Sequence, residues 1–440
     1  MSIASLGQTL LVSGTISLGI LCLYTIVNRM PQLTIFILLA FTIISTPNFN
    51  LHVGWVFMGA NVYPLDILSL IFMLVGLIGA IKSPRWDVCT LCIAILTTTT
   101  ILGVLVWIQA YGMRTGVNHW RLELYSLSVY WWANSRQFQV EHLRKPFITM
   151  ASVAVACEIY FGLRYGFNSA IDGYYDAELH QSMDGRPLDS PSTFIILCGL
   201  IILITTRRGS SRTQALLTGL FLCALLLAQQ RTVWLSTCAA AVYGLFVVIP
   251  KLKLTGRVTL PLITIAALVA PFLYFGYYSS SSLVTSSTNT HTLDARIGFW
   301  TDRLAFSLTP DQWLFGEILG PTPVSLAPGW EFSIQAHNMY VQTLNQNGLI
   351  GLMLLIVAVI YRLRSSILAV NHTVSLLIIA IIAFGIAYSF PDYTLIFLAA
   401  LSLNAVSPVP VEQNSGQVGR PAFNTKDAPS LPTPMQPPSR

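Results

Sequence analysis

Hydrophobic positions in this chain come in long blocks with short polar punctuation between them. They do not show the alternation or the three-and-four spacing of half-buried elements in a soluble domain. Apolar segments of roughly 15–22 residues, the length a helix needs to cross the bilayer core, fall near 7–27, 32–47, 65–81, 88–109, 146–163, 192–206, 213–229, 231–250, 258–277, 345–361, 373–389 and 392–405. The pattern predicts twelve transmembrane helices, because a helix satisfies its own backbone where water is absent. A thirteenth candidate is 122–134, Leu-Glu-Leu-Tyr-Ser-Leu-Ser-Val-Tyr-Trp-Trp-Ala-Asn. It is short and aromatic, and reads equally as a span or as a helix lying in the interface.

Composition agrees with this pattern. Of 440 residues 54% are hydrophobic and 10% are charged, where a soluble domain carries about 25% charged residues. The fold class expected is an all-α polytopic membrane protein with about 12 (12–13) transmembrane helices. The net charge of +6 does not point to nucleic acid, since the basic residues sit in short loops between spans. No cleavable signal is evident: the first apolar run lacks a basic leader and ends in Arg29. All seven cysteines fall in apolar runs. Cys89 and Cys92 form a C-x-x-C pair, but with no second pair or histidine nearby they read as core thiols. No internal repeat is apparent.

Basic residues in short loops set the orientation expected. They cluster at Lys82/Arg85, Arg136/Arg144/Lys145, Arg207/Arg208/Arg212, Lys251/Lys253/Arg257 and Arg362/Arg364. Placing them in the cytoplasm is self-consistent from residue 146 onward and puts 164–191 and 278–344 outside. The N-terminal side depends on whether 122–134 crosses. The organisation expected is a transmembrane bundle over 1–277, a large periplasmic loop over 278–344, C-terminal helices over 345–405, and a disordered cytoplasmic tail over 406–440, rich in Pro, Gln, Ser and Gly. Within the large loop, 293–304 reads as a helix on the membrane surface, and Trp313, Leu314, Phe315, Trp330 and Phe332 favour an ordered loop.

Three basic groups fall on the expected outer side. Arg231 starts a span after the tight Gln229–Gln230 hairpin. Alone it reads as well as an arginine snorkelling to lipid phosphate, but the N-terminus of a helix already favours an anion. Arg296 lies in the surface helix, where a solvated face is the plainer account. His337 begins the last long polar-to-apolar stretch, His337-Asn338-Met339-Tyr340 through Gly348-Leu349-Ile350-Gly351.

Three stretches, Gln230-Arg231-Thr232-Val233-Trp234-Leu235, Arg296-Ile297-Gly298-Phe299-Trp300 and the His337–Gly351 stretch, resemble the ordered motifs of the bacterial O-antigen ligase and polysaccharide polymerase superfamily. The resemblance covers about 190–362; before that only general hydropathy matches. It implies a GT-C-like helical membrane glycosyltransferase with its active site facing the periplasm of the inner membrane, no cofactor and no metal. The partners it implies are an undecaprenyl-diphosphate-linked oligosaccharide, membrane lipid and a chain-length regulator. By resemblance Arg231 and Arg296 bind the donor diphosphate and His337 is the catalytic histidine. Asn338, Tyr340, Gln342 and Arg303 are the substrate-binding candidates. The arginine-rich loop signatures of some polymerases are not clear here, so polymerase and ligase both stay open, with polymerase favoured. A transporter is the rival class, with Glu158 as its main intramembrane charge.

Overall fold

The computed structural model describes residues 18–44, 55–57, 60–82, 86–136, 140–165, 174–176, 181–183, 187–206, 211–248, 297–298, 300–301, 309–320 and 338–388. Apart from short helical turns at 297–298 and 300–301, these residues form α1 (Leu18–Arg29) and α2 (Pro31–Ile44), α3 (Pro64–Lys82), α4 (Val88–Tyr111), α5 (Met113–Arg136), α6 (Val140–Tyr165), α7 (Ser190–Thr205), α8 (Ser211–Leu227), α9 (Arg231–Tyr243), α10 (Pro310–Phe315), α11 (Met339–Leu368) and α12 (His372–Ala387). Two short antiparallel hairpins accompany them, Trp55–Phe57 with Ala60–Val62 and Tyr174–Asp176 with Gln181–Met183.

The described residues are mainly helical, and among them four helices are long and apolar enough to cross a membrane: Pro64–Lys82, Val88–Tyr111, Val140–Arg164 and Met339–Leu368. A fifth span arises if α1 and α2, bent by 115° at Met30, count as one. The helices α7, α8 and α12 are apolar but shorter. Of the twelve expected spans, 258–277 and 392–405 lie outside the described residues, and 7–27, 32–47, 231–250 and 373–389 lie partly outside.

The thirteenth candidate is longer than expected. Residues 122–134 sit inside α5, a 24-residue helix that runs alongside α3 and antiparallel to α4. Arg121 pairs with Asp66 at 3.1 Å, the Ser69 hydroxyl donates to Ser128 at 2.8 Å, and Trp131 donates to Thr97 on α4 at 2.9 Å. The helix was hard to read because its polar groups face neighbouring helices. Asp66 accepts from Tyr125, and the Arg121 guanidinium lies 4.7 Å from the Tyr63 ring centroid.

With α5 placed, side-chain contacts tie the long helices together at two ends. At one end Arg136 meets Asn28, Arg144 donates to Thr206 at 3.2 Å, Arg362 pairs with Asp87 at 2.8 Å and Thr373 donates to Thr205 at 2.7 Å. This basic end also holds Lys82, the last residue of α3. The opposite end gathers the start of α3, the α4–α5 turn at Gly112, the start of α7, the α8–α9 turn, residues 309–320 and the start of α11. The core between them is apolar. Its central member is α7, buried on all sides from Ser190 to Leu203, as a helix hydrophobic all round must be. Where α6 crosses α7, Gly199 lets the backbones close: a Cβ there would lie 2.5 Å from that of Ala151.

Candidate functional site

Arg231 is held by the turn before it. Helix α8 ends at Leu227 and Gln229 takes a left-handed φ of 52°, so α9 starts after a three-residue bend, Ala228 to Gln230. Gln230, 1% exposed, fastens that bend to the start of α7: its Oε1 accepts from the Ser190 hydroxyl at 2.6 Å and its Nε2 donates to the Leu188 carbonyl at 2.7 Å. With its amide so engaged, Gln230 makes no side-chain cap on α9. Arg231, half-buried, therefore sits at a helix N-terminus without a side-chain cap, where the dipole favours an anion.

The start of α11 is held by α12. Asn338 caps α11, its Oδ1 accepting from the N–H groups of Tyr340 at 2.9 Å and Val341 at 3.0 Å. Its Nδ2 donates to the Ile386 carbonyl at 2.9 Å, and the Tyr340 hydroxyl donates to the Ile382 carbonyl at 3.1 Å. Both residues, expected to touch sugar, thus fasten the helix that follows His337. Gln342 lies one turn on and is half-buried. His337, Arg296 and Arg303 lie outside the described residues; His337 is the immediate neighbour of Asn338.

Arg231 and Asn338 flank the same helix end. Helices α9 and α12 pack against each other in opposite directions, and α12 also packs on α11. A Cβ on Gly244 would lie 3.8 Å from the Leu376 side chain. Arg231 is thirteen residues back from Gly244 (244 − 231) and Ile386 ten residues on from Leu376 (386 − 376). At about 1.5 Å per residue the two come within roughly 5 Å of one level along the bundle. The arginine and the chain beside His337 therefore share one end of the molecule.

A second polar cluster lies beside them and was not anticipated from the sequence. Gly348, at φ 67° and ψ −172°, breaks α11, and residues 314–316 fit into the break. A Cβ on Gly348 would lie 2.2 Å from the Leu314 carbonyl oxygen, and one on Gly316, φ 68°, 2.4 Å from that of Gln346. Glu317, fully buried, follows in a 3-10 turn over Gly316–Leu319. Its carboxylate meets His119 Nε2 at 2.5 Å, and its carbonyl accepts from Trp107 Nε1 at 2.9 Å. The His119 ring stacks on Trp107 with centroids 3.9 Å apart. One turn along α5, both Glu123 oxygens accept from Asn347 Nδ2 at 3.1 Å. Two signals pointed here: His119 and Glu123 are four apart, on one helix face, and Gly316 and Gly348 each mark a backbone turn.

Among the described residues no three His, Cys, Asp or Glu side chains are placed to hold a metal ion. Just inward of Gly348 an open groove of about 310 Å³ is lined by Cys92, Leu349, Ile350, Met353, Leu354 and Val357. It is apolar throughout. The cation at the N-terminus of α9 suits an anionic group, and the groove between α4 and α11 suits an apolar chain. No protein-family model matches this chain, and no curated protein matches it.

Proposed function

We propose that the chain is a membrane glycosyltransferase whose donor is a glycan on a lipid diphosphate. Within that class it acts as a polymerase, joining undecaprenyl-diphosphate-linked oligosaccharide repeat units into exopolysaccharide or O-antigen. The observation that supports this reading best is the common end shared by Arg231 and the chain at His337. That end is opposite the basic one, which the positive-inside rule assigns to the cytoplasm; the site then faces the periplasm of a bacterial inner membrane.

In the reaction the bond from the sugar anomeric carbon to the diphosphate oxygen breaks, and a bond to an acceptor sugar hydroxyl forms. The departing diphosphate gathers negative charge. Arg231 and Arg296 pair with it through bidentate guanidinium–phosphate bonds, and the N-terminus of α9 adds its N–H groups. His337 takes the acceptor proton or orients the hydroxyl. Asn338 and Tyr340 hold the helix behind it. The groove beyond Gly348 suits the polyprenyl chain.

The test uses purified protein in vesicles with lipid-linked repeat units. Replacing His337 by alanine is expected to lower polymer formation about 10²–10⁴-fold, and Arg231→Ala about 10²–10³-fold, with single units left on the carrier. In cells carrying His337→Ala, long chains made normally but never moved to lipid A core would identify a ligase instead.

A carrier is the second reading, and Glu158 favours it. It is 1% exposed within α6, and neither carboxylate oxygen has a hydrogen-bond partner among the described residues. A buried membrane carboxylate is by default a functional group. If Glu158→Gln abolishes export while Arg231→Ala leaves it intact, the carrier reading replaces the transferase.

A further inference from the structure

The break in α11 raises a mechanical question. Residues 339–347 form an outer segment of nine residues, cut off at Gly348 from the long inner helix. So short a helix is marginal alone, and the break interrupts the backbone ladder that would otherwise carry the direction of the inner helix outward. The direction of the outer segment must come from side chains at its two ends. At the far end Asn338 and Tyr340 bind the carbonyls of α12. At the near end the contacts come from α4 and α5: Asn347 to both oxygens of Glu123 at 3.1 Å, Thr99 to Asn347 at 3.3 Å, and Gln346 to the His119 carbonyl at 3.0 Å. Residues 314–316 then wedge the gap, and the buried His119–Glu317 pair, stacked under Trp107, holds that wedge down.

We propose that Glu123 and the His119–Glu317 pair are positioning residues: through Asn347 and the 309–320 wedge they fix the aim of the outer segment of α11 and so the placement of its leading residues. The geometry gives this role to α5 because His119 and Glu123, one turn apart, grip the wedge and the break from a single helix face. As a claim about turnover the inference rests on the transferase reading; as a claim about the outer segment it does not.

The experiment therefore reads both, on the full chain in lipid nanodiscs. Amide hydrogen exchange is measured for Glu123→Ala, Glu123→Gln and Glu317→Gln, with Asn347→Ala as the partner-side variant should Glu123→Ala fail to fold. The expected result is that Glu123→Ala and Asn347→Ala speed exchange in 339–347 at least tenfold while 350–362 keeps its protection. In the transfer assay kcat falls tenfold or more with KM within about twofold. Glu123→Gln, whose amide oxygen still accepts from Asn347, restores both, and a fold maintained without aim would not give that rescue. Glu317→Gln is expected to speed exchange in 309–320 as well as in 339–347. Unchanged exchange in 339–347 overturns the proposal whatever the activity does, and so does faster exchange with an unchanged kcat. If wild type and Arg231→Ala give identical products, the transferase reading fails instead, and the exchange result alone decides whether Glu123 sets the outer segment.

Discussion

The two ends of α11 are both polar and both buried, yet they are built differently. At the basic end the helix is continuous, and Arg362, 10% exposed at its side chain, pairs with Asp87 at 2.8 Å. Asp87 also caps α4, accepting from the Thr90 N–H at 2.8 Å. That pair joins two helices whose directions are already set by packing along their lengths. At the other end the helix is cut at Gly348, and a ring of hydrogen bonds with a backbone wedge does the aiming. A long helix needs a clasp only to stay; a short one needs it to point. Changes at the basic end should therefore lower stability alone, and changes at the broken end should alter placement as well.

The largest effect separating the two ends is expected at Gly348. Alanine there must adopt a left-handed φ, costing about 1–2 kcal/mol. Its Cβ would also lie 2.2 Å from the Leu314 carbonyl oxygen, so the wedge must leave. Together these predict a loss of about 2–4 kcal/mol, read by thermal denaturation in detergent, with faster amide exchange over 309–320. Gly219 in α8 is the control, since nothing lies within 4 Å of its Cβ position. Alanine at 219 should be neutral or gain about 0.5–1 kcal/mol. If both alanines behave alike, the wedge is not what shapes the break.

A smaller effect is expected at Arg362. Removing one partner of a buried pair costs about 3–5 kcal/mol, but Asp87 is 28% exposed at its side chain, and solvent takes up part of the loss. Arg362→Ala should therefore cost about 1–2 kcal/mol of stability. Product formed per folded molecule should stay at the wild-type level, measured after the folded fraction is isolated by size exclusion. A drop in that ratio would mean that the basic end also aims the site, and the contrast between the ends would vanish.

The same contrast explains which parts of the chain could be read in advance. Uniform apolar helices such as α7 announce themselves, because burial on all sides requires hydrophobic residues on all sides. The hairpin before Arg231 was visible too, since two glutamines between apolar runs leave room for nothing longer. Helix α5 was obscure for the opposite reason. Its Arg121 and Glu123 look like water-facing groups, but one meets Asp66 and the other Asn347, and partners 55 and 224 residues distant (121 − 66 and 347 − 123) leave no local pattern. The break in α11 was only partly legible. Asn347-Gly348 is a turn dipeptide, but the apolar run that Gly348 opens makes the glycine look like a packing residue until its left-handed φ is seen. The arginine and histidine of the expected site were singled out by a resemblance of motif, while the side chains that hold the intervening helix carry no motif.

The smallest effect belongs to the turns, and here the sign is reversed. Only two described residues other than glycine have positive φ, Gln229 at 52° and Val370 at 54°, one in a turn at each end of the bundle. Gln229 is 4% exposed and leads directly into the bend that carries Arg231, whereas Val370 is 60% exposed and joins α11 to α12. A β-branched residue is badly suited to that conformation, and asparagine is well suited to the position just after a helix. Val370→Asn should therefore raise stability by about 1 kcal/mol, a gain of a few degrees at most in the melting temperature of a chain this size, with transfer per folded molecule unchanged. The Val370 N–H donates to the Ile367 carbonyl at 3.1 Å and would go on doing so, because the backbone keeps its path. If Val370→Asn instead depresses transfer, the turn at the basic end reports to the site through α12, whose far carbonyls hold Asn338 and Tyr340, and the clasp at the outer end is only half of what aims the helix.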